Sequence, residues 1–227
     1  MRSPCTFASV AIVASIGARH ASAQHLDVYV GFDAGRITTS GIDIDTADQF
    51  PGLRAFGADL GEFPAPPGFG DEPGFFSTTL TPGAAIGFDV VDGLRAWNGS
   101  DFGSLASESL EISKGSDSVV VPTTDGGFAP GFVIATADAS GGIHDHVEFA
   151  LSPSASTGVF LVSMRLWTDA PGIDASETIW IVLNSGMDEE DHDAAIEWVE
   201  STLVPAPSAL ALLALGATPG IRRHRRD

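Results

Sequence analysis

From His25 to Asp33 the chain reads HLDVYVGFD, and Leu26, Val28, Val30 and Phe32 fall at every second position. Successive side chains of a strand point to opposite faces, so this period of two predicts a strand with one buried face. Further strands are expected at Ala85–Val91, Leu94–Trp97, Ser109–Ser113, Ser118–Val121, Gly131–Ala137, Ile143–Leu151, Gly158–Trp167 and Thr178–Leu183. Turns rich in Gly, Pro, Asp and Ser separate them. Gly61–Gly74 (GEFPAPPGFGDEPG) holds too much Pro and Gly for regular structure and is expected to be a long loop. Many short strands at regular spacing predict an all-β fold, an antiparallel β-sandwich of jelly-roll-like type, rather than βαβ units.

The period changes once inside this region. Asp188–Thr202 reads DEEDHDAAIEWVEST, with acids in the first turn and Ile196, Val199 and Leu203 spaced three and four apart. Acids favour the positive end of a helix dipole, and the spacing gives one apolar stripe. A single C-terminal helix is therefore expected to cap the sandwich.

The two ends follow other rules. Met1–Ala23 has Arg2 at its start, an apolar run FASVAIVASIGA, and the small-x-small sequence Ala21-Ser22-Ala23. That order is a secretory signal helix, removed after Ala23 by a signal peptidase. At the other end, Val204–Asp227 has three parts: a stiff Pro205-Ala206-Pro207 breaker, an apolar block Ala209–Ala217, and a basic stop of Arg222, Arg223, Arg225 and Arg226. The block is shorter than the ~20 residues of a full membrane span, which suits transient rather than permanent membrane contact. The boundaries are thus 1–23, a sandwich domain 24–203, and a C-terminal tail 204–227.

Removing the ends changes the charge picture. The whole chain carries 11 basic and 30 acidic residues, but residues 24–203 keep 5 bases against 29 acids, a net of −24. Such a surface repels nucleic acid and anionic lipid, and makes cations the natural small partners. The single cysteine, Cys5, lies in the signal segment, so the domain has no disulfide and no thiolate chemistry. No catalytic residue is assigned: the chain lacks a G-x-S-x-G elbow, a phosphate loop and a full calcium loop. A non-enzymatic protein is expected. Trp97, Trp167, Trp180 and Trp198 could line a sugar groove or pack in the core.

The remaining chemistry lies in the histidines. The domain has His25, His144, His146 and His192, two of them in Gly142-Ile-His-Asp-His-Val-Glu148. On one strand His144, His146 and Glu148 would share a face and could hold one divalent ion, with zinc suiting the N/O donors. His25 and His192 are candidates for further ligands. The alternative is a polar strand face with ordinary hydrogen bonds.

Two resemblances bear on this. The tail resembles the PEP-CTERM sorting signal, in which a Pro-x-Pro motif, a short apolar helix and an Arg cluster are processed by an exosortase. Ala206 stands where that family has Glu, and the likeness covers the last 24 residues. It implies an exported protein of the cell surface or extracellular matrix, with exosortase as a partner during export. Separately, Gly141–Trp167 is similar to bacterial surface-anchored domains with a His-x-His-x-x-Phe strand, which accompany zinc or manganese uptake. His144, His146, Phe149, Gly158 and Phe160 match in order. PEP-CTERM proteins under zinc-uptake regulators look similar too, with a His-x-Asp start like His25-Leu26-Asp27. These imply a zinc-handling surface protein. The other reading is a structural or carbohydrate-associated matrix component that binds exopolysaccharide and has no metal role.

Overall fold

The alternating stretch at the start of the domain forms the first of sixteen strands in the computed structural model, which describes residues 26–205. In chain order come β1 (Asp27–Asp33), β2 (Arg36–Ile42), β3 (Gln49–Pro51), β4 (Ala55–Asp59), β5 (Phe69–Gly70), β6 (Phe75–Ser77), β7 (Ala85–Val90) and β8 (Arg95–Ala96). Then follow β9 (Ser104–Leu105), β10 (Ser109–Lys114), β11 (Asp117–Val120), β12 (Ala129–Thr136), β13 (Ile143–Asp145), β14 (Glu148–Ser152), β15 (Gly158–Thr168) and β16 (Ile179–Ser185). The helix α1 (Glu189–Thr202) comes last. The expected signal segment, His25 and the tail beyond Pro205 lie outside the described residues. Among the described residues no helix is long and apolar enough to cross a membrane.

The strands form three sheets, ordered β13-β6-β1-β2-β3, β11-β10-β14-β5 and β12-β7-β15-β16-β4. The result is the expected all-β sandwich with one C-terminal helix. Most neighbours are antiparallel, but β1 pairs β6 and β4 pairs β16 in parallel, so two of the sheets are mixed. The hairpin β1–β2 turns at Ala34 and Gly35, both at positive φ (48° and 80°). That two-residue turn matches the right-handed twist of its strands.

Side chains from all three sheets meet in one core. Val28 and Val30 of β1, Phe75 of β6, Phe88 of β7, Phe149 of β14 and Val162 of β15 are all fully buried there. The largest sheet is covered on its other face as well. Ile179, Ile181 and Leu183 of β16 enter the main core, while Trp180 and Val182 pack beneath Ala195, Ile196 and Val199 of α1. Burial on both faces is why β16 is a continuous apolar run, not an alternating one. Asp188 sits at the helix N-cap with Glu189, Glu190 and Asp191 in the first turn, as the acid-rich start anticipates.

The tryptophans belong mostly to packing. Trp97, Phe102 and Trp198 form an aromatic cluster against the helix, with the two indoles 6.1 Å apart. Arg54 lies 5.0 Å above the buried Trp180 ring.

Two expectations change. The stretch Gly61–Gly74 is mostly loop, but it contains the short strand β5 and delivers the chain to β6. The single strand expected over Ile143–Leu151 is two strands in different sheets, β13 and β14, broken at His146-Val147. Val147 is fully buried at the crossing, so the chain changes sheet by placing one apolar side chain in the shared core.

A candidate metal centre at Asp27, His144 and His146

Three short strands build the site. In β13-β6-β1 the register sets His144 beside Phe76 and Phe76 beside Tyr29. The rings touch in that order, with Phe76 to His144 edge-on at 5.7 Å. Asp27 shares the Tyr29 face of β1 because side chains two apart point the same way. His146 follows directly after β13, where the strand has ended, and still returns to within 5.2 Å of His144, ring centre to ring centre. Asp27, His144 and His146 each offer one ligand atom within 4.8 Å of the others, so they could hold a metal ion.

The electrostatics of Asp27 mark this as more than a polar corner. Its side chain is buried, and Oδ1 accepts from the Gly74 N–H at 2.9 Å. Oδ2 is buried with no hydrogen-bond donor. It faces His144 Nε2 at 3.1 Å, in a geometry that does not align an N–H with it. A buried carboxylate oxygen without a donor is costly, because its lost hydration is not replaced. A zinc ion with bonds of 2.0–2.2 Å to N and O holds neighbouring tetrahedral ligands about 3.3–3.5 Å apart. The Asp27–His144 separation is close to that edge.

His146 is oriented by a second group. Its Nδ1 lies 2.9 Å from the Asp71 carbonyl oxygen. A carbonyl only accepts, so Nδ1 carries the proton and Nε2 keeps the lone pair that a metal needs. Gly74 completes the fit. A Cβ there would lie 2.7 Å from His146 Cε1 and 2.8–2.9 Å from the two Asp27 oxygens. Gly74→Ala should therefore displace Asp27 or His146 and weaken the hold on any metal ion bound there by about 10- to 100-fold, a loss that zinc competition with a chromophoric chelator would measure.

The group opens on a cleft of about 420 Å³, also lined by Asp43, Ile44, Asp45 and Glu72. Four carboxylates and two imidazoles face it, and no Lys or Arg among the described residues lines it. The Thr46 N–H holds the Asp43 carboxyl below the usual carboxylate range. Burial pushes the Glu72 carboxyl up, and the Asp27 and Asp71 carboxylates add to this against the opposing pull of His146 and the Gly74 N–H. A cleft with this charge attracts a cation and relieves its own repulsion by binding one.

The residues singled out from sequence divide. His144 and His146 lie 5.2 Å apart, although His146 follows the end of β13 rather than sharing its strand face. Glu148 does not share their strand: it begins β14 in another sheet, and its carboxylate accepts from Ser113 Oγ at 3.2 Å. His192 is fully buried beneath α1, with Nε2 3.0 Å from the Val182 carbonyl and Nδ1 3.9 Å from Asp59. It faces the sheet on the helix side and holds α1 down. Asp27, the buried carboxylate of the group, was not expected as a ligand. Its only sequence signal is the His-x-Asp likeness at His25-Leu26-Asp27.

Fold and site together define a β-sandwich with an acidic cleft built around a His-His-Asp group. No protein-family model matches the chain, and neither a curated protein nor a solved structure does.

Proposed function

We propose that this is a non-enzymatic, exported protein of the cell surface or extracellular matrix that binds a divalent transition metal, zinc by its donor set, at Asp27, His144 and His146. The observation that carries the reading is Asp27 Oδ2, buried without a donor and 3.1 Å from His144 Nε2. Two nitrogens and one carboxylate oxygen suit zinc, whereas calcium takes oxygen ligands and magnesium keeps its waters. The acid excess of the domain favours cation capture outside the cell, where the signal segment and the PEP-CTERM-like tail would send it. Signal peptidase and exosortase are the partners this route implies.

Calorimetric titration of the full chain with zinc chloride should give one saturable site. Binding should release protons and weaken in acid, because neutral imidazole and ionised carboxylate are the ligating forms. A chain that takes up no zinc above the level of nonspecific surface carboxylates would overturn the reading and favour the structural or exopolysaccharide-associated role.

A further inference from the structure

Asp71-Glu72-Pro73-Gly74 is the four-residue connection between β5 and β6. Three of its groups meet the metal group. The Asp71 carbonyl fixes the His146 ring, and the Gly74 N–H fixes Asp27. The third is the Glu72 carboxylate. Its Oε2 accepts from the same Gly74 N–H at 3.0 Å, so two carboxylates share one donor. Its Oε1 lies 3.8 Å from His146 Nδ1, whose proton the Asp71 carbonyl already takes.

We infer that Glu72 is the fourth protein ligand of this centre, and that it is the exchangeable one. The inference rests on the metal reading above. Asp27 and Glu72 each spend one oxygen on Gly74, and the other oxygen of Asp27 is buried and without a donor. Two carboxylates held this close repel each other unless a cation lies between them. Glu72 stands just outside the three-residue group and would have to swing in; with it the donor set becomes two imidazoles and two carboxylates, the four ligands that zinc takes. The four ligands differ in how they are held. Asp27 and His144 stand on paired strands, and His146 is pinned by Asp71. Glu72 is carried on the connection, its side chain about half exposed at 48% on the cleft side. It joins the ion last and leaves first, so zinc enters and departs past this residue. The centre is thus built to take up and give back its ion, rather than to lock it in as a permanent brace.

The test uses the full chain with zinc, and with cobalt(II) as a spectroscopic substitute. In Glu72→Gln, zinc affinity should fall by about 10- to 100-fold and zinc release to an excess of chelator should quicken. The intense visible bands of four-coordinate cobalt should weaken as water replaces the carboxylate. Thermal unfolding without metal should match the wild type, since Glu72 is half exposed. Glu148→Gln removes the same charge from an exposed residue two positions after His146 that lies outside the site, and should leave affinity and spectrum almost unchanged. Wild-type affinity with a wild-type cobalt spectrum in Glu72→Gln would overturn the ligand role. An equal loss in Glu148→Gln would overturn it too, because bulk charge would then explain both. Absence of zinc binding by the wild type is a different result, and would instead overturn the metal reading itself.

Discussion

In the His144→Ala/His146→Ala double variant, zinc affinity is expected to fall by more than about 1,000-fold. Both nitrogen donors vanish, leaving carboxylates that bind zinc no better than other divalent ions. The size of the effect follows from the steep dependence of zinc affinity on neutral nitrogen donors, both of which this variant removes. Removing two ligands takes away far more than a factor of ten. The fold should survive, because His144 is half exposed and His146 makes its one short polar contact with a backbone carbonyl. Stability in the absence of metal should stay close to the wild type. Stability in zinc should not: a ligand present at 100 times its dissociation constant adds about 2.7 kcal/mol to the native state. The wild type should therefore gain several degrees in melting temperature on adding zinc, and the double variant none. Melting curves with and without zinc, alongside calorimetry, check both halves. Unchanged affinity would remove these histidines from the site.

Phe75→Ala should give a large loss of stability, about 3–5 kcal/mol. Phe75 is fully buried, lies in β6, and pairs with Val28 on one side and Asp145 on the other. Truncation leaves a cavity in the main core and loosens the one strand that joins β1 to β13. Typical domains are stable by only about 5–15 kcal/mol, so roughly a fifth or more of the total is at stake. Denaturant unfolding should show the midpoint shift. The same variant should bind zinc more weakly although Phe75 touches no ion, because β6 sets the spacing between Asp27 and His144. A midpoint shift with unchanged zinc affinity would show that the spacing is fixed elsewhere.

Period-two alternation found β1, and continuous apolar runs found β15 and β16, because burial on one face or two leaves a direct mark in the sequence. Acidic first-turn residues and a three-four spacing located α1 to within one residue. What escaped was built from small or short pieces. β4 (AFGAD) is buried almost throughout, yet Ala and Gly give no strong apolar signal. β6 is three residues long and owes its existence to pairing on both sides. The site was legible in the same uneven way. His144 and His146 stood out because histidine is scarce in the chain. Glu148 was misplaced because a strand break two residues earlier puts it in another sheet. Asp27 and Glu72 were hidden among 30 acids, and only burial and a shared N–H donor set them apart.

The parallel pairing of β1 with β6, and the antiparallel pairing of β6 with β13, have a consequence in time. Asp27 and His144 are 117 positions apart in sequence, and they meet only after both ends of that span are in the same sheet. Closing such long-range contacts is slow relative to local turns and hairpins. A chain emerging from the ribosome N-terminus first would present Asp27 early and its imidazole partners late. Zinc would then meet no assembled centre on the nascent chain. Tight uptake of the ion becomes a property of molecules that have finished folding, and a zinc signal followed during refolding would report the last long-range step rather than the first.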